Sequence, residues 1–418
     1  MVGVLSWSFD FYYAGNRDTP IHNAAIARFL GEYPDVNIID VPINVTDAST
    51  FSMDTRIAAG MPVHVYQDYM SRSLKYAKLK TQTDQPIWAI DLKKYHTDLD
   101  KYLPGVLDPF IKDGQLLALP HPSWMVGMRL NLTLLDKAGY APPTPENWTL
   151  GEFIKMSLAV NQAKVPDTYP TILFAENRSG DWMYMGWFAS FGFTKLFTPD
   201  YSAPAVNNRQ GYAVFDFWRT LWKAGLIPED SAMLNDDHMI NWRVAGLLAA
   251  AGDRAGPVNS EKYQQSLVDQ EIIEKPYKTA LYPFPKAAGV ERVPVIIGYE
   301  CLVGFDSGDE YVNRMIARFI WYLTNAEYQQ VLCEENRYFP TRADVKVKLD
   351  PVEFDWWYEA QYMMQQNGIL DVGSTLSAYN DIRGAMYPQL QKMFTGEYTA
   401  QEALDAYDKA LREALEKN

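Results

Sequence analysis

Apolar residues recur along this chain with two periods that take turns. Ala24, Ala25, Ile26, Phe29 and Leu30 fall at helical spacing with Pro34 just beyond, which predicts a helix. Val36 to Val41 then reads as a strand, Phe51 to Ala59 as a helix closed by Gly60, and Met61 to Tyr66 as a further strand. Ahead of these, Val2 to Trp7 is a short apolar strand, and Phe9 to Pro20 is an irregular polar-aromatic stretch. Strands alternating with helices predict an α/β architecture, a mostly parallel sheet with helices on both faces.

From Asp113 to Leu158 the pattern is denser. Asp113-Gly114 predicts a turn, followed by a short apolar strand stopped by Pro120 and a loop holding Trp124. A second strand and a short helix ending at Gly139 come next. Thr149 and Glu152 have capping-box spacing, so a helix with Phe153, Met156 and Ala159 on its apolar side begins there. Further on, Pro294 to Gly304 reads as a strand interrupted by Gly298, and Tyr311 to Leu323 as an amphipathic helix. Thr399 and Glu402 repeat the capping spacing ahead of a helix whose apolar face carries Ala403, Leu404, Tyr407, Ala410, Leu411, Ala414 and Leu415.

A chain of 418 residues is long enough for two domains, each with its own core. Its net charge of −14 argues against nucleic acid, whose phosphates select basic patches, and against an anionic membrane surface. Met1 to Trp7 carries no basic, export-type leader, and no apolar run approaches the roughly 20 residues of a membrane span. Cys301 and Cys333 stand in no CxxC motif. They could pair in an oxidising compartment, but buried free thiols are expected, since a domain this large needs no staple.

Sequence signatures of catalysis are missing. There is no GxSxG, GxxxxGK[ST] or HExxH, and the five histidines form no i,i+4 pair. Acidic pairs such as Asp98/Asp100 and Glu334/Glu335 read as solvated surface in a chain with 52 Asp and Glu. No metal and no cofactor is expected. Aromatic content is high, with 12 Trp and 27 Tyr; most should pack in cores, and the remainder could line a cleft, because sugars present flat CH faces to aromatic rings.

The order of elements resembles the sugar-binding extracellular solute-binding proteins of ABC transporters, the maltose-binding-protein-like family. The resemblance rests on the Asp113-Gly114 turn, the Leu119-Pro120 strand end, the strand ending in Asn131, and the Pro142-Pro143 link to Trp148-Thr149. Asn336 to Asp344 and Phe394 to Leu404 match later family elements. The chain departs from the pattern at Val63-His64, at Arg254 where the family often has Trp, and at Tyr299-Glu300 where glycines are usual.

The resemblance implies a two-lobed periplasmic-binding-protein-like fold (type II), with lobes at about 1–121 and 287–336, and at 122–286 and 337–418. It further implies a monomeric receptor that captures a sugar between hinged lobes and delivers it to a membrane permease. The location would be periplasmic or extracellular, with a lipoprotein anchor in a Gram-positive source and an export leader already removed.

Ligand groups in an open α/β lobe gather in loops after the strands. The candidates are Trp7, Phe9 and Asp10 after the first strand, and Tyr66, Gln67 and Asp68 after the third, with Asp68 accepting ligand hydroxyls. By the resemblance, Trp124 and Tyr379 fall at ligand aromatics of the family, Arg254 would be a hydrogen-bond fork where the family often has Trp, and Tyr299 and Glu300 would trim the pocket; Trp182, ahead of an apolar helix, is a further stacking candidate. Each aromatic has core packing as its alternative. Asp10, Asp68 and Glu300 would equally suit a cationic solute, and a secreted carbohydrate-active enzyme needs only two facing carboxylates.

Overall fold

The computed structural model describes residues 9–15, 20–41, 51–69, 74, 76, 79–80, 86–176, 181–254, 261–351, 354–374, 376 and 378–416. In chain order the first elements are β1 (Phe9–Ala14), α1 (Pro20–Glu32), β2 (Val36–Asp40), α2 (Phe51–Ala58) and β3 (Val65–Tyr69). Short strands follow, β4 (Leu79–Lys80), β5 (Pro86–Ile87), β6 (Ile111–Lys112) and β7 (Gln115–Leu116), and then the long β8 (Ala118–Asn131). The middle of the chain holds α3 (Leu132–Lys137), α4 (Leu150–Ala163), α5 (Asp181–Ser190), α6 (Arg209–Lys223), α7 (Asp236–Val244), β9 (Ala250–Arg254) and α8 (Glu261–Asp269). The last part holds β10 (Thr279–Tyr282), β11 (Ile296–Gly304), α9 (Glu310–Tyr322), α10 (Ala326–Asn336), α11 (Asp355–Asn367), α12 (Tyr379–Gly384), α13 (Tyr387–Phe394) and α14 (Ala400–Leu415).

The chain divides into two compact units. Unit 1 comprises Met1–Ser123, Gly298–Lys348 and Ser374–Ser377; unit 2 comprises Trp124–Ile297, Leu349–Gly373 and Ala378–Asn418. The sequence reading places the switches at 121/122, 286/287 and 336/337. Two of the observed switches fall inside the buried strands β8 and β11, where neither turn chemistry nor composition changes.

In unit 1, β1 pairs in parallel with β2 and β3, and β3 pairs antiparallel with β11. Strand alternation sorts the side chains into two layers. Phe11 and Tyr13 face α1 and α9, where ring contacts at 5.0–5.7 Å join them to Phe29 and Phe319. Gly304 is required there, because a Cβ on it would sit 2.5 Å from Ile316 of α9. On the opposite layer Tyr66 meets Tyr76, and Tyr299 meets Phe110.

Unit 2 has β8 flanked antiparallel by β9 and β10. Its helical core is aromatic: Phe188 and Tyr184 of α5 meet Trp218 of α6 at 5.8 and 5.1 Å, and Phe188 and Phe215 meet Tyr407 of α14. Thr399 caps α14 with the full reciprocal box to Glu402. At Thr149 only half of the box forms. Thr149 accepts from the Glu152 amide, while the Glu152 carboxylate binds Tyr140 and Lys155 instead.

The structure corrects the sequence reading at three places. Phe9–Ala14, read as irregular, is strand β1, because Phe11 and Tyr13 alternate inward with Asp10 and Tyr12 outward; Val2 to Trp7 lies outside the described residues. Pro120 does not end a strand: β8 runs unbroken for 14 buried residues. Proline removes a donor but its fixed φ suits extended backbone, and pairing is taken up at Ser123, which exchanges two hydrogen bonds with Phe339. Gly298 does not interrupt β11 either. The Asp113-Gly114 turn forms as expected, both residues at positive φ between β6 and β7, as a two-residue hairpin turn of this twist requires. Both cysteines are buried free thiols.

Candidate functional site

Tyr66, Gln67 and Asp68, predicted to lie in a loop beyond the third strand, are inside β3. The period of two then separates them. Gln67 shares a layer with Tyr13 and with Glu300 of β11, while Tyr66, Asp68 and Tyr299 point to the other side. Tyr13 Oη donates to Gln67 Oε1 at 3.4 Å, and Gln67 Nε2 donates to Glu300 Oε2 at 2.7 Å. The chain of bonds fixes the amide orientation and ends on a half-buried carboxylate. Tyr66, Gln67 and Tyr299 are nearly covered, and Asp68 is 0% exposed.

Three residues that the sequence reading passed over adjoin this layer. Tyr328 Oη lies 3.0 Å from a ring nitrogen of His22, and the rings of His22 and His121 are 5.8 Å apart. Burial raises the Tyr328 phenol well above its usual range, and the nearby Tyr13 and Glu300 add to the rise. Burial, with His22 adding to it, drives the His121 imidazole down to about 3, so it is neutral. His22, His121 and Tyr328 lie on elements far apart in sequence and carry no motif. No spacing rule would have found them.

Asp10 and Phe9 open β1, whereas Gln67 lies beyond the register of Ala14, at the other end of the parallel pair. Asp10 is exposed and accepts from Asn37 at 3.0 Å. The structure therefore does not bring Asp10 together with Gln67 and Glu300. Trp7 lies outside the described residues.

In unit 2, Trp124 stands in β8 and meets Trp182 of α5 edge to face, with ring centres 4.8 Å apart. Behind them is an ion pair. Arg383 of α12 donates to Asp181 through Nε and Nη2 at 2.5–3.0 Å, and its guanidinium lies 4.2 Å from the centre of the Trp182 ring. Tyr379, one turn before Arg383, has its ring 6.0 Å from the same guanidinium. Burial disfavours charge on Arg383, but the Asp181 carboxylate outweighs it and holds the group protonated. Trp124, Trp182 and Tyr379 are all buried.

Arg254 closes β9 opposite Val126. Its neighbour Asp253 is the organising group, accepting from both Arg129 and Arg243 in a buried triad. Among the described residues no group of three or more His, Cys, Asp or Glu is placed to hold a metal ion, and no helix is long and apolar enough to cross a membrane.

Chemically, unit 1 offers an oriented amide and carboxylate, and unit 2 offers indole rings backed by a fixed guanidinium. Taken each by itself, the first set can hydrogen-bond hydroxyl groups, and the second is of the kind that packs on apolar CH faces.

The family model described as "Bacterial extracellular solute-binding protein" matches residues 25–357. Among solved structures, maltose-bound MalE3 of T. maritima superposes with a TM-score of 0.75 at 16% identity, covering 97% of this chain and 99% of that one. The GacH receptor of Streptomyces glaucescens, solved unliganded and with acarbose, gives 0.74 at 16% identity over 98% and 99%. The cyclic alpha-maltosyl-1,6-maltose binding protein of Arthrobacter globiformis gives 0.72 at 17% identity over 98% and 100%. At such identities the likeness is one of fold. None of the curated proteins matches in sequence.

Proposed function

The chain belongs to the bacterial extracellular solute-binding proteins, and we propose that its solute is a sugar or oligosaccharide which it hands, as a monomer, to the permease of an ABC importer. The observation that carries the reading is the family match over residues 25–357. The sugars named for the similar structures, maltose, acarbose and cyclic alpha-maltosyl-1,6-maltose, point the same way. In this chain Glu300, oriented by Gln67, is the group best placed to accept sugar hydroxyls, because it keeps partial exposure.

The role is capture without chemistry, carried out in the periplasm or at the outer face of the cell membrane, with a lipoprotein anchor in a Gram-positive source. Isothermal titration against a panel of mono- and oligosaccharides tests it, with product analysis after prolonged incubation. Saturable binding with intact sugar is expected. Turnover abolished by one carboxylate substitution would replace the receptor by an enzyme.

A cationic solute is the second reading, favoured by one feature. Glu300 Oε1 accepts no hydrogen bond from a described residue. Amino sugars in the same panel separate the two, since a cationic preference would appear as tighter binding of the amino-substituted member.

A further inference from the structure

Glu300 is the one residue of β11 that is not buried, so the point at which this strand meets solvent is a carboxylate. Among the described residues its side chain takes a single hydrogen bond, from the neutral amide of Gln67, and makes no ion pair. Other shielded carboxylates of this chain are neutralised: Asp181 by Arg383, Asp253 by Arg129 and Arg243, and Asp408 by Arg412. Glu300 has no such counter-ion, and the bond chain from Tyr13 through Gln67 brings none to it.

The surroundings carry the same sign. Burial is the largest cause of the raised Tyr328 phenol, and Tyr13, Glu300 and Tyr338 then all act against a further negative charge there. The His121 ring, 5.7 Å from that of Tyr328, is neutral and offers no compensation. A carboxylate in partly dry surroundings is screened less than one in water, so its field reaches a solute bound beside it.

We propose that Glu300 makes the receptor selective against acidic sugars: a solute that brings a carboxylate or phosphate to this layer is rejected, and its neutral counterpart is taken. The inference rests on the sugar-receptor reading and narrows its solute class to neutral and amino-bearing sugars. A sugar hydroxyl donates to the Glu300 carboxylate, whereas an oxyanion offers it no donor and adds a like charge. Selectivity then comes from a repulsive element as well as an attractive one.

The test is calorimetric titration of the whole protein with maltotriose and with triacetylchitotriose, each also after oxidation of its primary hydroxymethyl groups to carboxylates. At least one neutral compound is expected to bind about tenfold or more tighter than its oxidised form at about 0.02 M sodium chloride, and the gap should narrow at about 0.5 M. Glu300→Gln keeps the shape, removes the charge and should close most of the gap, whereas general repulsion from a net charge of −14 would survive that substitution. An oxidised form that binds as tightly as its neutral parent, a gap indifferent to salt, or a gap unchanged in Glu300→Gln would overturn the selectivity while leaving the sugar receptor in place. Binding of no member of the set would overturn the sugar reading, and this inference with it.

Discussion

The guanidinium of Arg383 lies 4.2 Å from the centre of the Trp182 indole while donating to the carboxylate of Asp181, the residue just before that tryptophan. The pair is buried, with side-chain exposures of 12% and 5%. Asp181→Ala would leave an uncompensated charge under the ring, and a loss of about 3–5 kcal/mol of unfolding free energy is expected. Urea denaturation measures it. Restoring most of the loss with Asp181→Ala/Arg383→Met would show that the stranded charge, and not a missing contact, is the cause.

Glu300 and Tyr66 should respond in opposite ways. Glu300 is half-buried at the end of a hydrogen-bond chain, so Glu300→Ala is expected to weaken sugar binding about tenfold or more with little change in melting temperature. Tyr66 packs on Tyr76 with 5% exposure, so Tyr66→Ala should cost about 3–5 kcal/mol of stability instead. Calorimetric affinity and melting temperature on both variants decide it. The reverse pattern would move the ligand to the Tyr66–Asp68 layer.

His121 makes stability depend on pH with a definite sign. Its folded pKa is about 3, below the unfolded value near 6.5, so between those limits the unfolded chain binds a proton that the folded protein does not. The contribution is complete above about pH 6.5 and is lost as the pH falls toward 3, at up to about 1.4 kcal/mol per unit. His96 and His64, both lowered to about 4 by burial, act in the same direction. Unfolding free energies at pH 7, 6 and 5 should decline more steeply in the wild type than in His121→Phe. Parallel slopes would remove His121 from the account.

The two Thr/Glu capping pairs give a contrast within one molecule. Glu402 returns the hydrogen bond to Thr399, whereas Glu152 is diverted to Tyr140 and Lys155. Glu402→Ala should therefore lower the melting temperature through the cap, measured by thermal unfolding. Glu152→Ala should act through Tyr140, so in a Tyr140→Phe background most of its effect should vanish.

Local physics made several elements legible in the sequence. The α1, α9 and α14 faces follow from 3.6-residue periodicity, the Asp113-Gly114 hairpin from backbone that tolerates positive φ, and the Thr399 box from a three-residue spacing. Each depends on neighbours within one or two turns of chain. β1 is not legible in this way, because Asp10 is the only polar residue that marks its outward side and Tyr12, also outward, is as aromatic as the inward Phe11 and Tyr13.

The tertiary structure decided which candidates meet. Whether Gln67 or Asp68 shares a layer with Glu300 depends on the register of β3 against β11, and a shift of one residue exchanges them. Asp181 finds Arg383 across 202 residues and Gln67 finds Glu300 across 233, separations at which no periodicity carries information. The sequence by itself determined the elements and the acidic, aromatic character of a solute receptor. The pairing of strands and the docking of helices, set by burial of whole faces rather than by local preference, determined which of its polar groups stand together.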